Sequence, residues 1–192
     1  MMKMKILMLG NSFTFFNDMP DTLAEISGHE VTQHTQGGAY LDMLLDEETD
    51  YGKRTYELLD KSHGWDIVVL QEQSNAPITQ KERFMSAVEK LCDMIRSIGA
   101  RPMLYATWAY ESDGKELHAL GYEYDDMFEQ MYKSYHEAAE KNGALIADVG
   151  KAFHDAGTDA GLYDPDSYHP SAKGSYLAAE VIKKAISDAK IN

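Results

Sequence analysis

One cysteine, Cys92, in 192 residues leaves no disulfide framework. Set beside Leu91 and Ile95 in a helical apolar pattern, that thiol reads as a core group. Basic residues are scarce too: 18 Lys and Arg stand against 32 Asp and Glu, a formal charge of −14. Phosphate backbones and anionic bilayers are bound by clustered Lys and Arg. No such cluster occurs in the chain, so neither nucleic acid nor a membrane is expected as a partner. No apolar run approaches the ~20 residues that span a bilayer. His29, His34, His63, His118, His136 and His154 show no metal-ligand spacing, so neither a metal nor another cofactor is expected. Repeats, low-complexity tracts and linker-like stretches are missing as well, which makes residues 1–192 one domain. Ahead of the first strand there is no room for a leader peptide. A cytoplasmic location is expected if this N-terminus is native, and a secreted or periplasmic one if a leader has been removed. The oligomeric state is not legible.

What is present is a hydrophobic fraction of 44% and a charged fraction of 26%, ordinary values for a globule, arranged as strands alternating with helices. Residues 4–9 form an apolar run that stops at Gly10-Asn11-Ser12, the pattern of a buried parallel strand ending in a tight turn. A helix start at Asp18 and Pro20 runs to Gly28, and a weakly alternating strand over 29–36 ends at Gly37-Gly38. Ala39, Leu41, Leu44 and Leu45 then suggest a short helix, and residues 51–61 a further one closed by Gly64. The clearest strand is 65–70, followed by the polar run Gln71 to Asn75. Thr79-x-x-Glu82 has the form of a capping box opening a long helix that stops at Gly99. A fourth strand over 102–107 gives way to residues 108–126, which carry little periodicity, before a helical stripe resumes from Met127 to Asn142-Gly143. A fifth strand over 144–149, a helix over 149–156 and a last helix through Leu177 and Ile186 complete the chain. The alternation predicts a doubly wound parallel sheet of about five strands between two helical layers, with strand order 2-1-3-4-5.

In such a fold Ser12 stands at the carboxyl edge of the first strand, where open sheets place their ligands. Taken alone, a serine there is as well explained as a turn former or helix cap. The far end of the chain supplies Asp166-x-x-His169, an imidazole and a carboxylate in one loop. Hydroxyl, imidazole and acid are what acyl transfer needs, the imidazole taking the serine proton and the acid fixing its tautomer. Asp164 competes for the acid role. A three-residue spacing favours Asp166, because it lets the carboxylate reach Nδ1 while Nε2 faces outward. An oxyanion hole needs amide donors aimed at one point. The strand-end loops offer the Ser12 and Gly38 N–H groups and the side chains of Gln71, Gln73 and Asn75.

Four blocks carry a resemblance: Gly10-Asn11-Ser12-Phe13-Thr14, Gly37-Gly38, the polar loop after Val68-Val69-Leu70, and Asp166-x-x-His169-Pro170. In this order, spanning nearly the whole chain, they resemble those of the SGNH (GDSL-type) hydrolases. The resemblance implies a flavodoxin-like three-layer α/β/α fold, Ser12 as nucleophile, His169 as base and Asp166 as its partner. It also implies oxyanion donors from Ser12, Gly38 and the third block. That family usually has Asp where Asn11 stands, and Gly-x-Asn-Asp where this chain reads Gln71-Glu72-Gln73-Ser74. Gln73 falls on the Asn position, whereas Gln71 is similar to the first residue of Gln-Gly-Glu-Ser-Asn in carbohydrate and sialate O-acetylesterases.

The expected reaction is therefore removal of a short acyl group, acetyl foremost, from a carbohydrate or another small polar ester. A lysophospholipase or thioesterase of the same superfamily is the rival enzyme. A phosphate- or nucleotide-binding flavodoxin-like module is the rival of another class. The aromatic and acidic stretch after the fourth strand is expected to overhang Ser12, with Asn11, Trp108 and Tyr110 contacting the substrate.

Overall fold

A computed structural model describes residues 3–189. In chain order the elements are β1 (Lys5–Gly10), α1 (Ser12–Phe15), α2 (Met19–Ser27), β2 (Glu30–Thr35), α3 (Asp50–Leu58), β3 (Ile67–Leu70), α4 (Ala76–Thr79), α5 (Lys81–Ser97), β4 (Arg101–Ala106), α6 (Lys115–Leu120), α7 (Tyr124–Asn142), β5 (Leu145–Asp148), α8 (Val149–Ala156) and α9 (Ala172–Ala189). The five strands pair in parallel in the order β2-β1-β3-β4-β5, the expected one.

The apolar runs mark the middle of this sheet. Every residue of β3 is buried, and so is all of β1 after Lys5, because helices cover both faces of a central parallel strand. At the edge, β2 is exposed or half-buried throughout, which is why it keeps Thr32, Gln33 and His34 and reads so weakly. From β1 the chain steps one way to β2 and then back past β1 to β3, β4 and β5. Right-handed crossovers therefore send α2 to one face and α3, α5 and α7 to the other. Helix α9 returns over the first face, packing on α2, α8 and β5. The strand order reverses between β1 and β3, the place where doubly wound sheets open a crevice at their carboxyl ends.

Three local expectations are corrected. Helix α3 stops at Leu58 rather than running to 61: the Trp65 indole N–H takes the Leu58 carbonyl at 2.7 Å, and Asp60 caps a separate 3₁₀ turn, Lys61–His63, which Gly64 closes. Thr79 does not cap α5. It ends the short helix α4, its Oγ1 donates back to the Asn75 carbonyl at 3.0 Å, and Gln80, non-helical at φ −137° and ψ 48°, separates the two helices. The stretch 108–126 contains α6 and the start of α7, and its periodicity is hidden because α6 buries only Leu117.

Candidate active site

β1 ends at Gly10, where a Cβ would lie 2.7 Å from both Gln71 Oε1 and Thr14 Oγ1. A side chain there would displace the glutamine that shapes the next turn. Gln71, fully buried, accepts the Asn11 N–H at 3.0 Å and the Thr14 hydroxyl at 2.9 Å. Asn11 Oδ1 caps α1 by accepting the Phe13 N–H at 3.1 Å, and its Nδ2 donates to the Ala39 carbonyl at 3.0 Å. Aspartate could cap but could not make the second bond, so asparagine ties the serine turn to the loop after β2. Ser12 follows as the first residue of α1, half-buried, with its hydroxyl turned into a cavity of about 170 Å³.

The imidazole arrives from the other end of the chain. Ser12 Oγ lies 2.8 Å from His169 Nε2, and His169 Nδ1 donates to Asp166 Oδ2 at 2.6 Å. The second Asp166 oxygen accepts the backbone N–H of His169 at 2.9 Å and of Tyr168 at 3.2 Å, a loop closure that places Ser167 at φ 67°. Burial alone would raise the Asp166 carboxyl, but these hydrogen bonds hold it below the ordinary value. With Nδ1 donating, Nε2 is left to accept the serine proton. Asp164 makes no contact with the ring; its backbone N–H donates to the His169 carbonyl at 2.9 Å.

Two residues without a counterpart in the sequence reading hold the ring in place. Phe16 stacks flat on His169, with centroids 4.2 Å apart and planes 12° from parallel. Asn17 Nδ2 donates to the Pro170 carbonyl and to Ser175 Oγ, both at 2.9 Å, clipping the serine loop to the start of α9. Asn17 and Asp18 are both left-handed, at φ 54° and 52°. An L-residue there costs about 1–2 kcal/mol, and Asn and Asp tolerate it best. The adjacent Asn-Asp pair was the signal available.

The cavity is lined by Asn11, Ser12, Phe13, Gly38, Gln73, Ser74, Tyr168 and His169. Gly38 is left-handed, at φ 70°. Among the described residues, neither its N–H nor that of Ser12 has a hydrogen-bond partner. Gln73 Oε1 accepts the N–H groups of Asn75 and Ala76, and its Nε2 gives one proton to Ser74 Oγ at 3.1 Å. One N–H of that amide remains.

Other expected positions are corrected. Gln71 is fully buried and does not line the cavity: its oxygen supports the serine turn and its Nε2 donates to the Glu72 carbonyl. Asn11 lines the cavity with its side chain committed to backbone. Trp108 is fully buried, stacked between Phe13 at 4.6 Å and Phe153 at 4.2 Å. Tyr110 is 5% exposed, its hydroxyl bonded to Ser74 and Asn75. Neither residue is among those lining the cavity. Tyr168, next to His169 in the chain, does line the cavity, as does Phe13. Larger hollows, of about 510 and 670 Å³, lie along α7 and contain neither Ser12 nor His169.

No protein-family model matches the chain, and no curated protein does. Among solved structures, a protein of Slackia heliotrinireducens assigned to the SGNH hydrolases is 40% identical, with a TM-score of 0.90 over 96% of this chain and 100% of its own. A Desulfitobacterium hafniense protein described as lipolytic and of the G-D-S-L family is 18% identical, with a TM-score of 0.70 over 95% of this chain and 99% of its own. An acetyl-xylooligosaccharide esterase of Geobacillus is 15% identical, with a TM-score of 0.67 over 95% of this chain and 94% of its own. These last two share the fold.

Proposed function

The chain belongs to the SGNH hydrolase superfamily, and from that premise we propose that it is a serine ester hydrolase that removes a short acyl group, acetyl foremost, from a carbohydrate or similar polar alcohol. The observation that carries this reading is the run of contacts from Ser12 Oγ through His169 to Asp166, at 2.8 and 2.6 Å. In the proposed reaction His169 Nε2 takes the hydroxyl proton as Ser12 Oγ attacks the ester carbonyl. Asp166 holds the tautomer and stabilises the imidazolium. The oxyanion is received by the unpartnered N–H groups of Ser12 and Gly38, with the spare Gln73 N–H as third donor. His169 returns the proton to the leaving alcohol, and a water activated by the same nitrogen releases the acid from the acyl-serine.

The size of the acyl group follows from the space. About 170 Å³ beside Ser12 is below the 300–1,000 Å³ of drug-sized ligand sites. Its lining sets amide, hydroxyl and imidazole groups beside the rings of Phe13 and Tyr168, and a space this small does not take a lipid tail, which weighs against the lysophospholipase and thioesterase readings. The carbohydrate preference is supported by hydrogen-bonding groups interspersed with two rings, Phe13 and Tyr168, in this lining. Cleavage of p-nitrophenyl esters is expected to fall from acetate to butyrate, with octanoate barely turned over, and acetate release from acetylated sugars is the direct assay. A preference for octanoate would reverse the assignment in favour of a lipase-like enzyme.

The acid can be tested separately. Asp166→Asn is expected to lower kcat on the order of 10²-fold less than loss of the nucleophile does, as in triads where the orienting acid alone is removed. Asp164→Asn should leave kcat near wild type, since that carboxylate does not reach the ring. The reverse ranking would move the acid role to Asp164.

A further inference from the structure

Glu72 is 1% exposed and has no part in the reaction proposed above. Its Oε1 accepts two backbone N–H groups from different segments, Leu41 at 3.0 Å and Gln73 at 2.6 Å. The first segment leaves β2 and carries Gly38; the second leaves β3 and carries Gln73 and Ser74. One oxygen thus bridges opposite walls of the cavity. The Glu72 carbonyl in turn accepts Gln71 Nε2, and Gln71 Oε1 supports the serine turn. Burying a carboxylate is costly, and among the described residues no cation pairs with this one.

We propose that Glu72 is a positioning residue for the oxyanion hole, its ionised carboxylate holding the Gly38 and Gln73 segments at the spacing that aims their donors at one point. The catalytic consequence rests on the esterase reading; the clamp between the segments does not.

Bonds from N–H to an ionised acceptor are roughly twice as strong as neutral ones, so protonation slackens the clamp. The ionisable groups around Glu72 are Asp42 in the 3₁₀ segment after Gly38, Arg83 on α5, Tyr51 on α3 and Tyr135 on α7. Arg83 is engaged bidentately by Asp42, at 2.6 and 2.7 Å. Burial holds both phenols far above their ordinary value, so they stay neutral. Burial likewise pushes the Glu72 carboxyl up to about 7, against the pull of its two N–H donors, with Asp42 raising it further and Arg83 lowering it. The clamp is therefore set or slackened by one proton near neutrality. For stability the sign is opposite. The native state holds this proton more tightly than the unfolded chain, so stability falls as pH rises from the ordinary carboxylate value to about 7.

Glu72→Gln keeps an acceptor oxygen and removes the charge. At pH 8 its kcat for p-nitrophenyl acetate is expected to fall about tenfold, a fraction of the 10² to 10³ that losing a donor outright costs. KM should be unchanged, and the Tm should not drop, because a buried charge is gone. Between pH 5 and 9 the acid limb of wild-type kcat should carry an ionisation near 7 that the variant lacks. Amide NMR reads the clamp without turnover: the Leu41 and Gln73 N–H shifts should titrate near pH 7 in the wild type and not in Glu72→Gln. A wild-type chain that cleaves no ester but shows this titration would remove the esterase reading and leave the clamp standing. Amide shifts flat through pH 7 would overturn the proposal. So would a variant with wild-type kcat at pH 8, or one whose kcat and Tm fall together.

Discussion

Ser12→Ala lowers kcat for p-nitrophenyl acetate by roughly 10³ to 10⁶, the range for removing the nucleophile of a triad. The fold should survive. The lost hydroxyl makes a side-chain bond only to His169 Nε2, and the imidazole stays held by Asp166 on one edge and by Phe16 across its face. His169→Ala alone should cost about as much, and the double variant no more than either, because each disables the same step. Steady-state kinetics of the three variants, with circular dichroism to establish folding, decide the matter. Residual turnover within tenfold of wild type would take Ser12 out of the reaction.

The largest effect on stability is expected from Trp108→Ala, at about 3–5 kcal/mol, as for other large aromatic truncations in cores. Domains are stable by only about 5–15 kcal/mol, so this approaches the whole margin. The indole lies within a stack of three rings, Phe13, Trp108 and Phe153, and donates to the Tyr168 carbonyl at 2.9 Å. Truncation leaves a void between Phe13 of α1 and Phe153 of α8 and an unsatisfied carbonyl one residue before His169. A fall in Tm of roughly 10 °C is expected from a loss of that size. KM for an acetylated sugar should rise no more than KM for p-nitrophenyl acetate. A variant with wild-type Tm and a KM raised only for the sugar would put the indole at the substrate after all.

Trp108 also marks where the sequence stops being readable. Strands buried on both faces announce themselves as apolar runs, so β1 and β3 are plain, and their order follows from short right-handed connections. Ser12 and the Asp166-x-x-His169 loop stand out because acyl transfer asks for few residue types in few places. Which way a residue turns after its strand ends has no such signature. Trp108 and Tyr110 leave the carboxyl edge of β4 pointing inward, because the loop dips to meet Phe13 and Ser74, contacts made across nearly a hundred and across 36 positions. Gln71 and Gln73 are equally polar in sequence. Only the close approach at Gly10 turns the first under the serine turn and leaves the second at the cavity. Thr79 offered a capping pattern whose partner geometry the intervening non-helical residue Gln80 removes.

The separation of Ser12 from His169, 157 positions along the chain, also has a consequence in time. At the usual 5–20 residues per second of synthesis, Ser12 is made roughly 10 to 30 s before His169. Through that interval the nascent chain holds Ser12 without the imidazole it meets in the fold. Completing the sheet does not change this, because the base comes to the serine only when α9 docks on α2 and Asn17 closes on Pro170. On the proposed esterase reading, the first appearance of ester cleavage after dilution from denaturant times the docking of the last helix, and burial of the sheet can run ahead of it unseen by the assay.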